Sequence, residues 1–230
     1  MVLRISRLRP LACKEPLPRR HVAVYGWSMS FFDDLPQQPS RPREPQPAQP
    51  GWFGPPSDEM PGIAHVGGFV FKSQRMVVVL KLVEVYSTGC LLDLVWSVRR
   101  GSESDQEWRE TVEESYNHPR SSLDTRTGLE LGVALADGRK AVAAIHGPSA
   151  FEDPDDVTGP VLTTLGGGGG SNNSEFVQFT GRYWLWPLPV DGDTALVAKW
   201  DALGIPESLL VLSAQQLSDA VGRVQKYWDQ

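Results

Sequence analysis

The residues of this chain that could do chemistry are few and scattered. Its two cysteines, Cys13 and Cys90, allow at most one disulfide and match no metal-ligand spacing such as CxxC. His65, His118 and His146 lie far apart, in expected loops or at strand ends, so any general base would have to be assembled by the fold. A serine nucleophile wants a GxSxG elbow between strand and helix, and the sequence has none. Gly166 to Gly170 invite a phosphate-loop reading. That reading needs a Lys and a Ser/Thr opening a helix, whereas SNNSEFVQF follows, so the run is expected to be a mobile loop. Glu152, Asp153, Asp155 and Asp156, with Asp191 and Asp193 in another loop, could offer oxygens to Ca²⁺, but their spacing matches no known cation loop. No catalytic residue, metal or cofactor is assigned.

Residues suited to binding are easier to name. Trp184 and Trp186 are two apart on an expected strand and so share one face, with Tyr183 and Leu185 on the other. The pair could stack on sugars, but a core role is the better expectation, because no export signal directs the chain to polysaccharide. Arg182 adjoins them and, with His146 or Asp155, could converge on a polar pocket at the loop end around 146–193. In FFDDLP, Phe31, Phe32 and Leu35 have the look of a short linear docking motif, or of a tail that folds back on its own domain.

Composition and charge bound what these residues can serve. Of 230 residues, 40% are hydrophobic and 22% charged, the balance of a globular chain. The formal net charge is -6. Residues 1–28 hold six cations and one acid, giving +5, so the remainder carries sixteen cations against 27 acids, giving -11. An acidic body of that size repels phosphate backbones and anionic lipid, so neither nucleic acid nor a membrane is an expected partner. With so little cysteine, the expected compartment is the cytoplasm.

The elements that must position the binding residues fall into three parts. Residues 1–28 form a basic extension. No apolar run long enough for a secretory signal occurs there, and Pro10, Pro16 and Pro18 break a transit-type helix, so translation is expected to begin at Met29. Residues 29–61 comprise the FFDDLP tail and a proline-rich linker expected to be disordered. Nine prolines lie between Pro36 and Pro61, and four recur every third residue, as on one edge of a polyproline II helix. Residues 62–230 are the folded domain.

Within that domain the hydrophobic period is mostly that of strands. Met76–Val85 and Cys90–Val98 read as a hairpin across YSTG, and Leu129–Ala136 with Lys140–Ile145 as a second hairpin across Asp137-Gly138. Further short strands are expected at Val161–Leu165, Phe176–Phe179, Tyr183–Leu188, Ala195–Trp200 and Ser208–Leu212. Trp108, Val112 and Tyr116 suggest a short acidic helix over the sheet. At the end, Ser213 and Gln216 form a capping-box pattern, and Leu217, Ala220, Val221, Val224 and Trp228 fall on one stripe. Trp200 and Trp228 are expected in the core or against that helix. The expected fold is mainly β: an antiparallel β-sandwich, immunoglobulin-like or jelly-roll-like, with one C-terminal α-helix and a half-open barrel as the alternative.

The phrases FFDDLP, STGCLLDLVWSVR, LELGVALADGRKA, GGGGGS, YWLWPLPVDGD and LGIPESLLVLSAQQLSDAVGRVQKYW together resemble a family of uncharacterised proteins from high-GC Gram-positive bacteria. The resemblance spans most of residues 29–230 and implies no activity, substrate or site residue. Function is therefore expected from organisation alone. The chain reads as a cytoplasmic, non-catalytic module that binds another protein with the help of its N-terminal tail. The alternative is a small-ligand-binding protein or an enzyme using the loop end around 146–193.

Overall fold

Two long strands, β4 (Met76–Val85) and β5 (Cys90–Arg99), form the hairpin expected from their period. Their alternate residues Val78, Leu80, Val83, Leu92, Leu94 and Trp96 are buried on the inner face. In this computed structural model, which describes residues 49–115, 128–145 and 156–228, β5 pairs on its other side with β9 (Phe176–Trp186), and β9 with β8 (Val161–Asn172). The outer edge of β4 is shared. β2 (Gly62–Ala64) covers its C-terminal half and β3 (Gly68–Lys72) its N-terminal half.

The rest of the sheet is built on the second hairpin, β6 (Glu130–Ala134) and β7 (Lys140–Ile145), turned at Asp137-Gly138 with Gly138 at φ 87°. β10 (Thr194–Trp200) pairs with β6, and β11 (Ile205–Leu212) forms the edge beyond β10. β7 joins the two halves. Its residues 140–142 pair antiparallel with β6, and 143–145 pair parallel with β8.

The expected antiparallel sandwich is thus met only in part. One mixed ten-stranded sheet, ordered β11-β10-β6-β7-β8-β9-β5-β4-β2 with β3 also on β4, curls into a half-barrel. The parallel joint has a physical cause, since fifteen residues separate β7 from β8, enough for a crossover where a hairpin would need only a few. The ends of the curl approach each other at β3 and β11, where a Cβ on Gly68 would sit 3.0 Å from Leu210.

Two helices serve this sheet, the expected C-terminal one and the short acidic one suggested by Trp108 and Val112. α1 (Asp105–Ser115) opens with a capping box in which the Ser104 amide donates to Glu107 (2.8 Å) and the Glu107 amide donates to the Ser104 hydroxyl (3.3 Å). It buries Trp108 and Val112, each contributing about 1.5–3 kcal/mol. Its last turn meets two core indoles. Trp96 Nε1 donates to the Ser115 carbonyl (3.4 Å), and Trp200 Nε1 donates to Glu114 Oε1 (3.0 Å). α2 (Ala214–Val221) buries Leu217 and Ala220 beside β2. Ser213 stands at its N-cap without a side-chain cap, and Asp193 accepts from the Ala214 amide instead (3.0 Å). A short pair, β1 (Glu59–Met60) with β12 (Gln225–Lys226), ties the chain end to the start of the domain.

Three further expectations are corrected. Gly166 to Gly170 lie within β8 and not in a loop. Gly166 and Gly167 have φ of 138° and 152°, and a Cβ on Gly167 would lie 2.5 Å from the Thr180 carbonyl, so the run is where β8 bulges closely along β9. Trp228 is 71% exposed, because the helix ends at Val221 and the following turn carries the chain into β12. Residues 49–61, placed in the linker for their prolines, include the buried Trp52 and Glu59 and pack on the sheet. All described residues belong to one unit, Pro47–Gln230.

Candidate interaction face

Alternation along β9 sends Val177, Phe179, Tyr183 and Leu185 to the core and leaves Arg182, Trp184 and Trp186 on the outer face, as their spacing requires. The indoles are not a platform. Trp184 is fully buried in a small second cluster with Tyr86, Leu91 and Trp186, its ring edge-on to Tyr86 at 5.7 Å. The chain around Gly51 and Trp52 covers it like a strap. Trp184 Nε1 donates to the Gly51 carbonyl (2.9 Å), and Thr163 Oγ1 donates to the Trp52 carbonyl (3.1 Å). The core reading of Trp184 therefore holds, in a cluster separate from the main one.

Arg182 is engaged as well. Its guanidinium donates to both Glu84 oxygens (3.2 and 3.1 Å), and Tyr86 donates to the same carboxylate (3.0 Å). Burial, then the Glu84 charge, push the Tyr86 hydroxyl well above its ordinary value, so it stays protonated. Phe31, Phe32 and Leu35, like His118, His146 and Asp155, lie outside the described residues. At the loop end, the hollow between Asp137–Arg139 and Pro187–Gly192 holds about 80 Å³, below the roughly 300 Å³ at which ligand pockets begin. Arg139 there is already bound to Asp137 (2.6 Å) and to the Gly159 carbonyl (2.9 Å). Burial pushes the Cys90 thiol up to about 12, which leaves it an inert core atom.

A larger concavity, about 700 Å³, opens at the β3–β4 turn beside Lys72, Arg75, Arg99 and Phe176. It is an open sheet end, where Arg75 pairs with Glu103 (2.7 Å) and Lys72 lies 4.6 Å from the Phe69 ring centre. No group of three His, Cys, Asp or Glu side chains among the described residues is placed to hold a metal ion. None of their helices is long and apolar enough to cross a membrane.

The surface that stands apart is the outer face of β11, β10, β6 and β7. Register sets Leu209, Val197, Gly132 and Val142 in one row across the four strands, and Val211, Ala195, Ala134 and Lys140 in the next. Leu131, Val133, Leu196 and Ala198, the alternate residues, are buried in the core. Val142 is 70% exposed, Leu209 60% and Val211 52%. Between these flanks the middle strands present only Gly132, Ala134, Ala195 and Val197, so the face is hollowed into a trough of about 370 Å³. Glu130, Lys199 and Glu207 stand at one end and Lys140 at the other.

No family model, curated protein or solved structure matches the chain.

The sequence held a signal for the trough that the expectations above do not use. Ala195–Trp200 and Ser208–Leu212 are apolar at both parities, as strands covered on both faces are. Here the inner face is covered by the core and the outer by no described residue.

Proposed function

We propose that the chain is a cytoplasmic, non-catalytic interaction module that holds another protein on the outer face of β11, β10, β6 and β7. One observation carries this reading: an apolar trough across four strands, with three large aliphatic side chains more than half exposed. With strands about 4.8 Å apart and alternate residues about 6.8 Å apart, its two rows of four residues span roughly 260 Å² of sheet, a patch of a few hundred Å². In this reading Phe31, Phe32 and Leu35 supply a second, linear contact to the same partner.

The test is the size of the native assembly. Tagged full-length chain, expressed in its own cells and separated by size-exclusion chromatography, is expected to elute as a complex of defined composition. Val197→Glu is expected to return it to the free chain, while deletion of 29–35 weakens the complex. An elution profile unchanged by Val197→Glu would sink the proposal.

A further inference from the structure

We infer that the occupant of the trough is a single amphipathic α-helix of the partner, lying along the strands with its acidic first turn over Lys140 and its basic last turn over Glu130 and Glu207. The inference deepens the docking reading and rests on it. Gly132, Ala134, Ala195 and Val197 line the floor between Val142 on β7 and Leu209 on β11. β7 and β11 are three strand spacings apart, about 14 Å between strand axes, the width on which one helix of about 10–12 Å diameter can rest. A second sheet packs on a plane, and this surface is hollow.

A stable contact between two folded proteins buries about 800 Å² on each, more than the trough alone offers to a second copy or to any other partner, so in this reading Phe31, Phe32 and Leu35 must supply part of the contact. A strand added at the β11 edge meets β3, whose Gly68 already approaches Leu210. Charge sets the direction. Lys140 occupies one end, while at the other Glu130 and Glu207 outnumber Lys199, which is itself paired with Asp201 (2.7 Å). A helix with acids in its first turn and bases in its last matches both ends, and that order also suits its own macrodipole.

The test uses methyl-labelled full-length chain and a synthetic 14-residue amphipathic peptide with a Leu/Ala stripe, acidic first turn and basic last turn. Saturable NMR shifts are expected at Val142, Val197, Leu209 and Val211. A peptide with the end charges exchanged should bind about fivefold more weakly, and one with Gln in the stripe should not bind. Val197→Glu and, separately, Leu209→Lys should each weaken binding about tenfold or more, with the near-UV spectrum of the chain unchanged. Absence of saturable shifts, or shifts confined to Tyr227 and Trp228, overturns the helix. So does a chain that sediments alone as a dimer which Val197→Glu dissociates, since the occupant is then a second copy. If the cellular complex depends on Val197 and the peptide fails, the docking reading stands and the helix falls. If the complex is indifferent to Val197, both fall.

Discussion

Glu59 shows how much one side chain can hold in this fold. It is buried, and its carboxylate accepts from the Ser87 amide (2.9 Å) and hydroxyl (2.5 Å) and pairs with Lys226 (3.0 Å), which also pairs with Asp58 (2.9 Å). Burial alone would raise its pKa. The Ser87 and Lys226 contacts outweigh it and leave the carboxyl below its ordinary value. A group depressed in the folded state adds stability above its unfolded pKa, and that stability is lost as pH falls through the folded value. The urea midpoint should therefore fall as pH drops below the ordinary glutamate range, and Glu59→Gln should flatten that dependence; an identical profile in the variant would contradict the assignment. Trp184→Phe removes the bond to Gly51 and leaves that carbonyl unanswered, a loss of about 1–3 kcal/mol, read by urea unfolding with faster amide exchange at Trp52. The shared face of Trp184 and Trp186 was legible from spacing. The strap was not, because its partner lies more than 130 residues earlier, at the end of a proline-rich stretch that local reasoning assigns to linker.

At the scale of elements, what was local was legible. The β4–β5 hairpin and the Asp137-Gly138 turn follow from period-two alternation and turn chemistry within a few residues. The glycine run of β8 was not, since five glycines contribute no period, and only contact with β9 makes them a strand. The parallel joint at β7 depends on which strand the crossover returns to, a choice made by tertiary packing. Helix attachment makes two testable points. A Cβ on Gly62 would run into the Ala220 carbonyl, so Gly62→Ala should push α2 off β2 and cost about 1–3 kcal/mol in thermal unfolding. Glu114 accepts from the Trp200 indole and from the Gly128 amide (3.1 Å), so Glu114→Ala should cost about 1–3 kcal/mol and change the tryptophan fluorescence of the folded chain.

The acidic charge of the chain is set against an apolar trough that no described residue covers. Net charge of -6 keeps molecules apart, while Val142, Leu209 and Val211 offer surface that a partner could cover. Strands apolar at both parities carried this message in the sequence. Its location was hidden, because which face meets the core depends on the curl of the sheet. Leu209 is 60% exposed, so Leu209→Lys should leave stability within about 0.5 kcal/mol of the parent and reduce binding of an apolar dye. The most direct measurement places a photo-crosslinking amino acid at position 209 or 142 in the full chain within its own cells, with position 178, exposed on the other half of the sheet, as the control. The account predicts one discrete protein adduct at 209 and 142 and none at 178. No adduct at the trough positions, or the same adducts at 178, would contradict it.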